Sequence, residues 1–241
     1  MKKLNTALKL FSNYFYYTGR PHSINPIHFL RQRHEGRSVQ FLRKNEPDLY
    51  RGVCEMIAKS DSRGGEWSDY LEIYQTIRRN KPTEALELGS GVTSFVIAYA
   101  LHKNKNENGV QGKLTSMENL EFFHEQIKSF FPHEFSSYVN FVLSERKEKM
   151  YGDDLLGCYY ESIPDISFDF IFVDGPAERL SKTSKKAFNS DLINLVKDRK
   201  LTSFVGLIDQ RISAYRAYKK LLPEITLRYM PLRKMTFFKA T

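Results

Sequence analysis

From residue 66 to the end of the chain, short apolar runs alternate with longer amphipathic ones, and that alternation leaves few folds open. Ala85 to Leu88, Lys113 to Met117, Val139 to Leu143, Phe168 to Val173 and Phe204 to Ile208 have the length and apolar content of buried strands. Between and before them lie helical patterns: Tyr70 to Ile77 with Ser68 as its cap, Phe95 to Leu101, Leu120 to Phe130, Phe188 to Val196 and Tyr215 to Leu222. Repeated strand-helix units predict a parallel sheet covered by helices on both faces. Two last strands, Ile225 to Met230 and Lys234 to Lys239, are joined only by Pro231-Leu232-Arg233. That link is too short for a helical crossover, so the pair should run antiparallel. The expected class is α/β: a doubly wound, mostly parallel seven-stranded sheet with an antiparallel C-terminal hairpin.

The first third reads differently. Residues 1–65 carry an aromatic and basic helical extension, expected to serve as a lid or an oligomer contact for the domain at 66–241. Leu4, Leu8, Phe11 and Phe15 form one apolar stripe beside Lys3 and Lys9, which suits packing on the domain, on a second subunit or on a membrane surface. A second apolar set, Leu49, Val53, Met56 and Ile57, predicts a further helix. The polar run Lys103 to Gly109 reads as an exposed loop. At 241 residues the chain can bury roughly 70–75 % of its unfolded surface, enough for one large domain without staples. Cys54 and Cys158 lack metal-ligand spacing and read as reduced thiols in a cytoplasmic setting. Asn5, Thr6 and Lys9 interrupt what would be the apolar core of an export signal, so export is not expected. The net charge of +9 favours anionic partners, or simply a solvated basic surface.

In an open parallel sheet, ligands sit beyond the carboxyl ends of the strands, so the residues there carry the chemistry. After the first strand come Gly89-Ser90-Gly91, glycines suited to a tight turn and a close ligand approach. Thr93 and Ser94 open the next helix, whose free N–H groups can receive a carboxylate. Glu87 would repel a pyrophosphate but suits an ammonium group. A third glycine for a dinucleotide fingerprint would fall at Ser94, so an NAD-dependent dehydrogenase is disfavoured. The second strand ends in Glu118-Asn119, where an acid can accept both hydroxyls of a ribose. The fourth runs into Asp174-Gly175-Pro176, and the fifth into Asp209-Gln210-Arg211. Two carboxylates at neighbouring strand ends can bind a cation, share a proton or hold a hydroxyl; alternatively each caps the helix that follows. Trp67, Tyr159 and Tyr160 are candidates for a pocket wall or for packing, whereas His102 and His124 read as helix-surface residues.

Taken in order, Glu87-Leu88-Gly89-Ser90-Gly91, then Glu118, then Val173-Asp174-Gly175-Pro176 resemble the class I S-adenosylmethionine-dependent methyltransferases, over residues 66 to 241. The resemblance implies a Rossmann-like fold and S-adenosylmethionine as cofactor. It implies a cofactor site at Glu87, Gly89, Ser90, Gly91, Thr93, Ser94, Glu118, Asn119, Asp174 and Gly175. Asp174-Gly175-Pro176-Ala177 departs from the Asp-Pro-Pro-Tyr type motif of amino-group methyltransferases, and Gly157-Cys158 departs from the Pro-Cys of cytosine enzymes. Metal-dependent O-methyltransferases place an Asp after the fourth strand and Asp-Asn after the fifth. Asp174 and Asp209 match that pattern, but Gln210 stands in the Asn position, which weakens the case for a divalent cation. The expected activity is O-methylation of a small-molecule or glycan-like hydroxyl, with Asp174 and Asp209 as catalytic candidates. The rival is a non-catalytic nucleic-acid- or membrane-binding protein on the same fold, which would use the basic N-terminal region.

Overall fold

The computed structural model describes residues 26–61, 65–181 and 184–240. The stripe from Leu4 to Phe15 lies outside the described residues. Helices α1 (Pro26–Asn45), α2 (Pro47–Lys59) and α3 (Trp67–Asn80) precede the first strand. There follow β1 (Glu84–Leu88), α4 (Val92–Asn108), β2 (Lys113–Glu118), α5 (Glu121–Phe130), a 3-10 turn (His133–Tyr138) and β3 (Val139–Leu143). The hairpin β4 (Arg146–Tyr151) and β5 (Leu155–Tyr160) leads to β6 (Phe170–Val173), β7 (Phe188–Asn189) and α6 (Asp191–Lys197). The chain closes with β8 (Phe204–Asp209), α7 (Ile212–Leu221), β9 (Thr226–Met230) and β10 (Met235–Ala240).

Seven strands form one sheet in the order β3-β2-β1-β6-β8-β10-β9. All neighbours are parallel except β10, which pairs antiparallel with both β8 and β9. The strand order reverses between β1 and β6, and this switch point is where the fold opens a crevice. Side chains alternate across the sheet. Phe170 and Phe172 join one core with residues of α2, α3 and α4, while Ile171 and Val173 join a second with α6 and α7. Each fully buried Phe contributes roughly 1.5–3 kcal/mol. Asp169, the polar exception, accepts the N–H groups of Thr83 and Glu84 at 2.8 and 3.0 Å and fastens the start of β6 to β1.

Six sequence expectations need correction. The run after Leu101 is not a loop: α4 continues to Asn108 and ends at Gly109, φ 71°. Asn104 is buried there, donating to the Ile77 carbonyl at 3.1 Å, and Arg78 pairs with both Asn104 and Glu107. Tertiary partners hold a polar sequence in helix. Glu66, not Ser68, caps α3, and Glu35 of α1 accepts the N–H groups of Trp67 and Ser68. Helix α1 itself was not anticipated, because it buries only a few side chains, Leu42 and Ser38 among them. The helix expected from Phe188 begins at Asp191, since Phe188 and Asn189 pair with β5. That pairing belongs to a second sheet, β4-β5-β7, that was likewise not anticipated. Within the set proposed from residue 49, Leu49, Val53 and Met56 are buried, but Ile57 is 36 % exposed. Cys54 and Cys158 are both free thiols. No helix among the described residues is long and apolar enough to cross a membrane.

Candidate functional site

Register brings the strand-end residues together. Leu88 lies opposite both Met117 and Val173, and Val173 lies opposite Ile208. One residue further on, Gly89 therefore stands beside Glu118 and Asp174, and Asp174 beside Asp209. Ladder bonds continue into this row: Gly89 N–H donates to the Met117 carbonyl at 3.0 Å, and Asp174 N–H to the Leu88 carbonyl at 2.8 Å. Above the row opens a cavity of about 230 Å³ whose walls include Gly89, Ser90, Glu118, Asn119, Asp174 and Gly175.

The turn after β1 needs its glycine. Gly89 takes φ 105°, and a Cβ there would lie 2.7 Å from the Gly175 nitrogen. The two strand-end loops thus touch backbone to backbone, a contact only glycine allows at this φ. Gly91 is extended, and a Cβ on it would meet nothing within 4 Å, so its surroundings leave room for a ligand.

Glu118 is held in place from below. Its Oε1 accepts the N–H groups of Asn119 and Leu120 at 2.7 and 2.9 Å. Its Oε2 receives the Ser90 hydroxyl at 3.2 Å, a long contact that leaves acceptor capacity toward the cavity.

Glu87, Thr93 and Ser94 are turned away from that cavity. The Glu87 carboxyl is wholly buried and accepts the hydroxyls of Thr93 and Ser94, each at 2.5 Å, and that of Ser116 at 2.6 Å. Burial lifts its pKa to about 7, although the three hydroxyl donors act against the shift. Sequence reasoning set these residues against a ligand's ammonium and carboxylate; here they tie β1, β2 and the start of α4 together. Their effect on a ligand runs through the turn that they fix.

Asp174 and Asp209 sit side by side under a shared cation. Arg211 Nη1 donates to the Pro176 carbonyl at 3.0 Å, and Nη2 approaches Asp174 Oδ1 at 3.4 Å. Burial raises the pKa of Asp174, opposed by the Arg211 guanidinium. Asp209 rises to about 7 through burial and then through the charge of Asp174, again opposed by Arg211. A carboxyl poised there is a far better proton acceptor at neutral pH than an ordinary aspartate. Asp209 is not in the cavity wall proper, and its buried Oδ1 has no hydrogen-bond partner. Behind it lies Asp69 of α3, raised to about 9 by burial and by the Asp209 charge.

A divalent cation does not fit these residues. The positive charge beside Asp174 and Asp209 already belongs to Arg211, whose fixed guanidinium would repel a cation held by the same two carboxylates.

Among the solved structures to which the chain is similar are two described as O-methyltransferases. The O-methyltransferase TomG from Streptomyces achromogenes, involved in tomaymycin synthesis and solved with S-adenosylmethionine, superposes with a TM-score of 0.52 at 13 % identity, over 88 % of this chain and 98 % of that one. A Staphylococcus aureus protein described as a caffeoyl-CoA O-methyltransferase gives 0.51 at 13 % identity, over 84 % and 96 %. This chain has the fold of those methyltransferases. No protein-family model and no curated protein sequence matches it.

Several residues of this crevice were not read from the sequence. Asn189 spends its whole amide on the site: Nδ2 donates to the Gly175 carbonyl at 2.6 Å and to Asp191 at 2.7 Å, while Oδ1 accepts the Tyr218 hydroxyl at 2.7 Å and the Asp191 N–H at 3.1 Å. Asp191 in turn accepts the Tyr160 N–H at 2.9 Å, and burial lifts its pKa to about 7. The sequence signal was there: Asn189-Ser190-Asp191 before an apolar helix is a polar cluster with more acceptors than one cap needs. Of the three aromatic candidates, Tyr160 lines the cavity, Tyr159 faces a separate groove, and Trp67 stacks on Tyr50 at 4.7 Å. His124 is buried rather than on the surface, and neither it nor His102 lines the crevice.

Proposed function

We propose that the chain is an S-adenosylmethionine-dependent methyltransferase acting on a hydroxyl of a small-molecule or glycan-like acceptor. The observation that carries this is Glu118: a carboxylate fixed by two backbone N–H groups, with its outer oxygen directed to a cavity that begins at the Gly89 turn. The residues present suit the cofactor. Glu118 would accept the ribose hydroxyls, Gly89 to Gly91 would pass under the methionine part, and Leu120 and Phe123 offer apolar surface to the adenine.

When bound, the cofactor supplies an electrophilic methyl group on a sulfonium. The chain must then align an acceptor oxygen and take its proton. Asp174, which lines the cavity, is placed to orient that hydroxyl and receive its proton, with Asp209 beside it to share the proton. General-base assistance of this kind contributes roughly 10²–10⁴ in rate.

Calorimetric titration tests the reading. S-adenosylmethionine is expected to bind the wild type and NAD is not, and Glu118→Ala is expected to weaken the first by at least about tenfold, the loss of one charge-assisted hydrogen bond or more. Absence of heat with S-adenosylmethionine, or unchanged affinity in Glu118→Ala, would sink it.

A further inference from the structure

The metal-dependent O-methyltransferases that the sequence resembles use an Asp after the fourth strand and an Asp-Asn pair after the fifth. Asp174 and Asp209 occupy those two places, yet the third member of the arrangement differs. Gln210 adopts a left-handed backbone, φ 35°, and the next residue brings a guanidinium to the crevice. Arg211 has 16 % of its side chain exposed and lies 3.4 Å from the Asp174 carboxyl. It spends Nη1 on the Pro176 carbonyl, and its buried Nε–H has no partner. A guanidinium keeps its charge at any working pH and offers donors in a fixed fork. Its field already acts on both carboxyls.

We propose that Arg211 is the built-in positive charge of the transfer site, standing where metal-dependent relatives of this fold use a divalent cation, and that it faces the acceptor's oxygen. The proposal rests on the methyl-transfer reading above. As the acceptor's O–H bond breaks, its proton passes to the paired carboxylates through Asp174, the one that lines the cavity, and the electron pair stays on oxygen. That oxygen forms the new O–CH₃ bond while the S–CH₃ bond breaks, its electron pair returning to sulfur to leave a neutral thioether. Arg211 gives up no proton; it lowers the energy of the oxygen while it is most negative. A hard cation would need six or more oxygens and would meet a fixed like charge beside two of them.

Mn²⁺ binding, followed through the paramagnetic resonance of free Mn²⁺ with and without S-adenosylhomocysteine, decides the matter. Wild type is expected to leave the signal of millimolar Mn²⁺ undiminished. Arg211→Met and Arg211→Gln, which uncover the two carboxylates, are each expected to take up one Mn²⁺ per chain. Adding Asp174→Asn to either should abolish that uptake, and Arg211→Lys, which keeps the charge, should behave as wild type. Mn²⁺ held by the wild type, or none gained by a folded variant lacking the charge, overturns the proposal. Calorimetry with S-adenosylhomocysteine on the wild type reads the methyltransferase assignment separately. Its failure removes that assignment while the Mn²⁺ comparison still reports on Arg211.

Discussion

Gly89 and Gly91 look equivalent in a Gly-Ser-Gly turn, and the structure separates them. At Gly89 the left-handed φ and the neighbouring Gly175 backbone both exclude a side chain. Gly89→Ala is expected to cost about 1–3 kcal/mol in strain alone and to weaken S-adenosylhomocysteine binding. Gly91→Ala, extended and facing open space, should leave the thermal midpoint within a degree or so while still lowering affinity where the ligand passes. Calorimetry and thermal melts of the two variants check the contrast; equal destabilisation would contradict it. The same row shows what a sequence discloses at this scale. Gly89, Glu118, Asp174 and Asp209 were legible because each ends or follows its own strand, and parallel register aligns strand ends automatically. Glu87 was legible as important but not in its direction: alternation turns it inward, to the face that carries α4, two residues before the Gly89 turn. Tyr160 was legible only as one of three aromatic candidates, Arg211 only as a residue after a strand end and Asn189 only as part of a polar cluster, because their meeting depends on loops and a second sheet.

Among the elements, the centre of the seven-stranded sheet could be read because β1, β6 and β8 are buried on both faces and largely apolar. The second sheet could not. Strand β4 is Arg-Lys-Glu-Lys-Met-Tyr, a charged and largely exposed ribbon, and it becomes a strand by pairing with β5 along its full length. Its partner matters to the site, because β5 ends at Tyr160 and pairs with β7, which ends at Asn189. The Asn189 amide then joins β7, the loop after β6 and α7 through Gly175 and Tyr218. Asn189→Ala strands the Gly175 carbonyl, the Tyr218 hydroxyl and part of Asp191, all buried. It should destabilise the protein by about 2–4 kcal/mol in urea unfolding and loosen the loop bearing Asp174. A loss under about half a kilocalorie would show that the clamp carries little. The tail of α4 makes the complementary case, since its helix depends on Arg78. Arg78→Ala is expected to speed amide exchange over residues 104–109 while leaving the first turns of α4 protected.

Across the whole molecule, the basic excess of +9 lies over an interior that is conspicuously acidic. Glu87, Asp191 and Asp209 are lifted to about 7 and Asp69 to about 9, in each case first by burial. They lie where α3, α4 and α6 meet the carboxyl ends of the strands, so the fold gathers its titrating groups around the crevice. The consequence for stability has a definite sign. In the unfolded chain these carboxyls lose their protons near pH 4, whereas the folded protein keeps them to about pH 7, and at Asp69 to about pH 9. Between those limits the folded state binds more protons, so stability falls as pH rises. His34 and His124, whose pKa values burial lowers, act the opposite way, but only below the ordinary histidine value of 6.5. Above it the carboxyls act unopposed by these histidines. The thermal midpoint is therefore expected to be higher at about pH 6.5 than at about pH 8.5, the reverse of a protein held by surface ion pairs. Asp69→Asn should flatten the fall above pH 7, since it removes the one carboxyl of the four that still holds its proton there, and Glu87→Gln should flatten the part below. A midpoint that rises across this range in the wild type, or a slope that neither substitution changes, would mean that the buried carboxyls are ionised and paired in the folded protein.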